Sequence, residues 1–203
     1  MSEQFDKEFW EAHWSDAAHG SVGPSPHPGL DAEIDVLDPG TALDAGSGEG
    51  AEAVWLAAHG WEVTAVDISA EALRRASRRV SERSDRISWI EADLSSWQPA
   101  TSFDLVMTFY AHPTIPQLAF YERIATWVAP GGTLLIVGHG QAHGHGRDHA
   151  HPEEAVTDPE RIRSVLDPAE WDLQTAEVRE RTAGERHGHP VALRDVVVRA
   201  RRR

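Results

Sequence analysis

Glycines and acids follow two predicted strands in an order that suits a nucleotide-like ligand. The segment from Asp44 to Gly50 reads DAGSGEG, follows an apolar run and precedes an alanine-rich helical segment. A second apolar run ends at Asp67. Glycines let the backbone approach a ligand closely, the start of the following helix offers N–H donors to a carboxylate, and an acid at the next strand end can accept from ribose hydroxyls. The spacing predicts a site for a cofactor that carries a nucleoside.

The glycine spacing separates two classes of cofactor. Residues 46, 48 and 50 are glycine, which gives G-x-G-x-G, whereas the dinucleotide fingerprint is G-x-G-x-x-G. Oxidoreductases that use a nicotinamide cofactor usually also have a catalytic Tyr/Lys or His pair, and Lys7 is the only lysine in the chain. A nicotinamide-dependent oxidoreductase is therefore only a minor alternative.

Composition restricts the class of protein further. The chain has 203 residues, no cysteine and a net charge of −14 with neutral histidines. The length suits one domain, and the lack of cysteine excludes disulfides and a cysteine nucleophile. The acidity argues against nucleic acid as a partner. No apolar run is long enough for a membrane span and the first residues lack a signal-like core, so we expect a cytoplasmic protein.

Hydrophobic periodicity predicts alternating strands and helices from residue 41 onwards. The predicted strands are residues 41–46, 62–67, 86–93, 103–109, 132–139, 171–182 and 193–202. Alternation with short turns predicts a parallel sheet with right-handed crossovers, and the last two strands, about ten residues apart, predict an antiparallel hairpin. The expected fold is α/β: a Rossmann-like doubly wound, mostly parallel seven-stranded sheet with helices on both faces. Ser69 is expected to cap the helix after the second strand.

The same pattern predicts one domain, 1–203, in four parts. They are an aromatic helical leader (1–40), a cofactor-binding core (41–139), a His/Gly-rich loop (140–158), and a helix followed by the hairpin (159–203). In the leader, Phe5, Phe9, Trp10 and Trp14 place apolar rings on part of one helical face. For Trp10 and Trp14, packing in the core is the favoured interpretation over contact with a cofactor.

Five segments in this order resemble the class I S-adenosylmethionine-dependent methyltransferases. They are LDAGSGEG (43–50), VTAVDIS (63–69), EADLSSW (91–97), FDLVMTFYAH (103–112) and APGGTLLIVGH (129–139). The aromatic leader is similar to that of small stand-alone members, including the tellurite-resistance and thiopurine types, in which it often folds over the cofactor. The resemblance implies transfer of a methyl group from S-adenosylmethionine to a small-molecule acceptor by in-line displacement, with S-adenosylhomocysteine as product.

The resemblance also implies a role for each matching residue. The methionine part of the cofactor is assigned to Asp44, Gly46, Gly48 and Gly50, the ribose to Asp67 and Ile68, and the adenine to Asp93 and Leu94. Ala45 is a cofactor contact without an assigned part. Phe109 and Trp14 are further candidate contacts. Structural alternatives stay open: a tight turn for the glycines, a strand-end cap for Asp67 and a surface turn for Asp93.

Tyr110 and His112 are the candidate catalytic residues, because they follow the fourth strand, where the family keeps its reacting groups. A hydroxyl or an imidazole there can orient the nucleophile, and imidazole titrates near neutrality. The segment FYAHP (109–113) lacks the Asn-Pro-Pro-Tyr-like element of enzymes that methylate amides or bases, which disfavours DNA amino-methylation. The acceptor atom (oxygen, nitrogen, sulfur or another chalcogen) and the oligomeric state are left open.

Histidines are concentrated in the last third of the chain. They are His139, His143, His145, His149, His151, His187 and His189. Imidazoles at this density can bind zinc, nickel or copper. Their spacing matches no closed zinc site, so a pH-sensitive surface lid is favoured over a metal site. A cofactor-sensing or metal-binding protein without turnover is the main alternative function.

Overall fold

The computed structural model describes residues 5–15, 25–80, 84–141, 156–186 and 189–203. The helices are α1 (Lys7–Ser15), α2 (Leu30–Ile34), α3 (Ala51–Ala58), α4 (Ala70–Arg79), α5 (Gln117–Ala125) and α6 (Pro159–Arg163), with a 3₁₀ turn at Ser84–Arg86. The strands are β1 (Thr41–Ala45), β2 (Glu62–Asp67), β3 (Ile87–Glu91), β4 (Phe103–Phe109), β5 (Val128–His139), β6 (Trp171–Arg186) and β7 (His189–Arg202). Within the described ranges, none of the helices has the length and apolar character needed to cross a membrane.

The seven strands form one sheet in the order β3-β2-β1-β4-β5-β7-β6. Strands β1 to β5 run parallel, and β7 lies antiparallel to both β5 and β6. The predicted architecture is confirmed, but the predicted ten-residue connection in the hairpin is wrong. Pairing continues to Arg186 and His189, so most of that segment extends the two strands. The chain reverses its direction of winding between β1 and β4, the position where open α/β sheets bind ligands.

Successive side chains of the central strands pack into opposite layers. In β5, Leu134 and Ile136 contribute to the cluster that contains α5 and α6, whereas Leu135 and Val137 contribute to the cluster that contains α2 and α3. Because side chains alternate along a strand, a continuous apolar strand supplies both layers. Helices therefore cover both faces, as predicted, and the sheet holds its strand ends in fixed positions.

Helix starts lie directly beside those strand ends. The hydroxyl of Ser69 accepts a hydrogen bond from the N–H of Ala72 at 3.2 Å, which confirms the predicted cap of α4. Helix α3 begins after Gly50, which has φ 75°. The chain thus turns from strand to helix at the edge of the sheet where β1, β2 and β4 end.

Candidate active site

A cavity of about 520 Å³ opens at the carboxyl ends of β1, β2 and β4. Its described walls come from the leader, the glycine turn, the strand ends and the hairpin. The lining residues are Trp10, Trp14, residues 25–28, residues 46–52, Asp67, Asp93, Leu94, residues 109–113 and Arg181. Both the position at the switch point of the sheet and the concave shape are typical of a ligand site.

The structure brings most of the predicted site residues to this cavity. The predicted residues that line it are Trp14, Gly46, Gly48, Gly50, Asp67, Asp93, Leu94, Phe109, Tyr110 and His112. Asp44 and Ala45 are buried in β1 behind the lining, and Ile68 follows Asp67 without lining the cavity. Their individual roles in binding and catalysis stay predictions.

The glycine turn packs against two other walls of the cavity. Gly46 has φ 83°, and a Cβ there would lie 2.3 Å from the Cβ of Ala111. Gly48 has φ 51°, and a Cβ there would lie 3.1 Å from the Trp14 ring. Both the left-handed backbone and the close approach therefore require glycine.

The N–H groups of this turn are directed towards the protein. Gly46 and Ser47 donate to the carbonyl of Val66 at 2.8 and 3.0 Å, and Gly48 donates to the carboxylate of Asp67 at 2.8 Å. A phosphate site at such a turn needs N–H groups that point at the ligand. The turn is therefore poorly suited to the pyrophosphate of a dinucleotide.

Three carboxyl groups surround the same turn. Asp44 is 1% exposed, and its Oδ2 atom has no hydrogen-bond partner in the described part of the chain. Burial raises the pKa of Asp44 well above its usual value, and the charges of Glu52 and Asp67 raise it further. Burial also raises the pKa values of Glu52 and Asp67. Charged carboxylates in this setting are stabilised by a cation, so the turn favours a cationic ligand.

The amino terminus of α3 lies beside two carboxyl groups of the protein. Asp44 is buried at the end of β1, and Glu52 lies in the first turn of α3. Glu52 accepts from the N–H of His27 at 2.9 Å. That the N–H groups at the start of α3 serve a ligand stays a prediction.

Tyr110 follows β4 and lines the cavity. It is the non-glycine residue with positive φ, 54°, among the described residues. Such a conformation costs roughly 1–2 kcal/mol and commonly occurs at functional sites. Its hydroxyl accepts from Arg181 at 3.2 Å and is bonded to Asp195, and burial raises its pKa. The phenol therefore stays protonated, which fits an orienting group and not a base.

Asp195, in β7, accepts hydrogen bonds from three side chains near Tyr110. Its carboxylate accepts from His27 Nε2 at 3.0 Å, from Arg181 Nε and from the Tyr110 hydroxyl. Burial alone would raise its pKa, but these hydrogen bonds and the charge of Arg181 lower it to about 2. Because Gly29 donates its N–H to His27 Nδ1 at 3.1 Å, the histidine proton lies on Nε2. The four side chains therefore form one polar network.

The hydrogen bonds around His112 determine which of its ring nitrogens carries the proton. Gln117 donates through Nε2 to the carbonyl of Ala111 at 2.9 Å, which orients its Oε1 towards His112 Nδ1 at 3.2 Å. His112 must donate from Nδ1 in this arrangement, so its basic lone pair lies on Nε2. This nitrogen is buried, and the catalytic roles of His112 and Tyr110 stay predictions.

Helix α1 forms one side of the cavity. It contains no buried residue, so the favoured interpretation of Trp10 and Trp14 as core residues is wrong. The carboxylate of Glu11 accepts from Ser69 Oγ at 3.0 Å and from the first N–H groups of α4 at 2.8 and 3.2 Å. The Trp10 indole donates to the carbonyl of His112 at 3.3 Å. Polar contacts thus hold α1 at both ends of the cavity.

Several lining residues were not predicted from the sequence. Residues 25–28 lie in a turn-rich segment without periodicity, and Arg181 belongs to an alternating polar strand. Asp195, behind Arg181, was equally missed. The predicted hairpin was the only signal that could have placed these two residues near β4, and it does not reveal where their side chains lie.

Most of the histidine-rich segment, residues 142–155 and 187–188, lies outside the described residues. Its beginning is described: the His139 ring stacks on the Tyr110 ring with 4.5 Å between centroids. No group of three or more histidine, aspartate or glutamate side chains within the described ranges could hold a metal ion. The prediction of a lid over the cavity stays a prediction.

The strand order, the glycine turn after β1 and the acid at the end of β2 are typical of the class I methyltransferase fold. Residues 42–132 match the family described as a methyltransferase domain. This central part of the chain is therefore similar to methyltransferases, the family that the sequence predicts.

Known relatives match part of the chain. An uncharacterised methyltransferase of Mycobacterium tuberculosis is 39% identical over 112 residues, 53% of this chain and 56% of that protein. A probable thiol methyltransferase of Arabidopsis thaliana is 31% identical over 134 residues, 62% of this chain and 59% of that protein. The chain thus matches little more than half the length of these relatives. The N-methyltransferase NodS of Bradyrhizobium japonicum, solved with S-adenosylhomocysteine, has the same fold (TM-score 0.68, 19% identity, 97% of both chains).

Proposed function

We propose that this protein transfers a methyl group from S-adenosylmethionine to a small-molecule acceptor. The observation that carries the proposal is the set of Asp44, Glu52 and Asp67 around a glycine turn whose N–H groups serve the protein. S-adenosylmethionine bears an ammonium and a sulfonium, whereas a nicotinamide dinucleotide bears a pyrophosphate. The acidic surroundings favour the cation and disfavour the polyanion.

The residues present fit this cofactor. Asp67 has lone pairs left for ribose hydroxyls beyond the N–H groups of Gly48 and Ser69 that it already accepts. Asp44 Oδ2, buried and without a partner among the described residues, is an acceptor that a bound ammonium would satisfy. Trp14 and Leu94 supply apolar walls. The proposal treats residues 1–203 as one domain, in which the leader (1–40) covers the core (41–139).

When bound, S-adenosylmethionine supplies an electrophilic methyl group on its sulfonium. The chain holds the acceptor in line and excludes water, and such positioning can contribute about 7–11 kcal/mol. His112 takes a proton when the acceptor is protonated at working pH, and Tyr110 orients the acceptor with its hydroxyl. A thiolate or an oxyanion needs no base.

The relatives support a small acceptor without fixing its reacting atom. The Arabidopsis protein is named a probable thiol methyltransferase and NodS an N-methyltransferase. We therefore test thiols, chalcogen oxyanions and phenols side by side. The assay measures S-adenosylhomocysteine formed from S-adenosylmethionine in the presence of each acceptor.

The matched variants are Asp67→Asn and Asp104→Asn. Asp104 lies at the opposite end of the sheet, where it accepts from Thr41, so its loss should not affect cofactor binding. We expect product from the wild type and from Asp104→Asn, and a loss of at least tenfold in Asp67→Asn. Binding of S-adenosylmethionine without product from any acceptor would instead favour the cofactor-sensing alternative.

A further inference from the structure

The charges that line the cavity are separated by sign. Glu49, Glu52, Asp67 and Asp93 lie at the end formed by the glycine turn and the strands β2 and β3. Among the described lining residues, Arg181 is the only arginine or lysine, and it lies at the other end, beside Tyr110. The end of the cavity beside Tyr110 therefore presents a guanidinium to a ligand.

The guanidinium of Arg181 is only partly occupied by the protein. Nε donates to Asp195 and one Nη2 hydrogen donates to the Tyr110 hydroxyl. This leaves three of the five guanidinium hydrogens without a partner in the described part of the structure. The side chain is 29% exposed, and its exposed part lines the cavity. The donors of this planar fork suit a carboxylate or another oxyanion.

Asp195 orients Arg181 without removing its donors from the cavity. The carboxylate is 1% exposed and is also bonded to His27 and Tyr110, so its charge is spread over three donors behind the wall. The neighbouring cations of the hairpin have other partners: Arg179 pairs with Glu33 and Glu177, and Arg194 with Glu180. Arg181 is thus the cation of the hairpin that the fold directs into the cavity.

We infer that the acceptor carries an anionic group, a carboxylate or a comparable oxyanion, which the Arg181 guanidinium binds. This inference rests on the proposed function and adds the class of substrate. Tyr110 and Arg181 then hold the anion at one end of the cavity, while the acidic end holds the cofactor. Opposite charges at the two ends fix the direction in which the two ligands bind.

The experiment measures binding of probe anions to protein saturated with S-adenosylhomocysteine, so that no methyl transfer occurs. Each probe is paired with its neutral amide: benzoate with benzamide, phenylacetate with phenylacetamide, and 3-mercaptopropionate with 3-mercaptopropionamide. The same titrations are made with Arg181→Gln and with Arg179→Gln. Arg179 lies two residues away on the same strand and lines no part of the cavity, which makes it the matched control.

We expect at least one carboxylate to bind about tenfold tighter than its amide, the size typical of a charge-assisted hydrogen bond. That preference should disappear in Arg181→Gln and persist in Arg179→Gln. Equal binding of acid and amide, no binding of any carboxylate, or a preference that survives in Arg181→Gln overturns the inference. The wild-type comparison decides the question even if Arg181→Gln does not fold. Failure to bind S-adenosylhomocysteine at all would overturn the proposed function and this inference with it.

Discussion

The two ends of the cavity differ in how far apart in sequence their residues lie. The acidic end comes from a short stretch of chain, residues 44–94, in which most acids lie in motifs at strand ends and Glu52 lies in the first turn of α3. The end around Tyr110 combines the leader, the residues after β4 and two hairpin strands, which are up to 168 residues apart, as in the pair His27 and Asp195. Local patterning therefore determines the cofactor end, and long-range packing determines the acceptor end.

The two ends therefore contribute different parts of the proposed function, cofactor binding and acceptor specificity. In the proposed function, backbone turns and buried acids at the strand ends recognise the cofactor. The acceptor end depends on side chains from the hairpin and the leader, where substitutions can alter specificity without disturbing the sheet. Substitutions at the first end should accordingly affect cofactor binding, and substitutions at the second end should affect acceptor specificity.

The largest effect is expected where the two ends touch. Gly46→Ala introduces a Cβ that lies 2.3 Å from the Cβ of Ala111, at φ 83°. Backbone strain and overpacking should together lower the free energy of unfolding by about 2–5 kcal/mol, as measured by urea denaturation. Gly131→Ala is the control, because its φ is 79° with no atom within 4 Å of the added Cβ. Equal losses in the two variants would show that the ends do not pack against each other.

Asp67→Ala should weaken S-adenosylmethionine binding by about 100-fold, since two charge-assisted hydrogen bonds to ribose are lost. Asp93→Ala should weaken it by about tenfold, because only one contact to adenine is expected. Calorimetric titration measures both dissociation constants. A loss in Asp93→Ala as large as that in Asp67→Ala would contradict the assigned roles.

Binding of S-adenosylmethionine should strengthen as pH rises. The pKa values of Asp44, Glu52 and Asp67 are raised, so their charges develop only as pH rises through values above the usual carboxyl range. A cationic ligand favours the charged forms and releases protons on binding. Without ligand, the same raised pKa values make stability fall as pH rises through this range. We expect about tenfold weaker binding at pH 5.5 than at pH 7.5; a flat or inverted profile would count against the acidic site.

The smallest effect is expected at the leader. Glu11→Gln weakens the three hydrogen bonds that attach α1 to the start of α4. A cap of this kind is worth about 1 kcal/mol, which lowers the thermal midpoint by roughly 2–4 °C. Glu8→Gln changes an exposed acid of the same helix and should leave the midpoint unchanged. Identical midpoints for the two variants would show that Glu11 does not hold the leader.

The sequence predicted the sheet because strand periodicity, caps and turns are local. The positions of β2 and β4 and the cap at Ser69 followed directly from such patterns. The extent of the hairpin was underestimated, since polar residues that pair across two strands carry no apolar signal. The placement of Trp10 in the cavity wall was also missed, because an amphipathic helix does not show which surface it covers.

Within the site, the sequence motifs located the candidate residues but not their hydrogen-bond partners. Asp67 was predicted at a strand end, but its bond to Gly48 depends on the fold of the turn. Tyr110 was predicted beside the reacting end, yet its protonated state follows from Asp195 and from burial, which only the folded chain brings together. Charge partners from distant strands therefore set the chemistry of residues that a motif can locate.

The central claim is that buried acids around the glycine turn select a cationic nucleoside cofactor. Calorimetric titration of the purified protein with S-adenosylmethionine and, separately, with NADH tests it most directly. The predicted result is micromolar binding of S-adenosylmethionine with release of protons, and no binding of NADH. Binding of NADH, or no binding of S-adenosylmethionine, would contradict it.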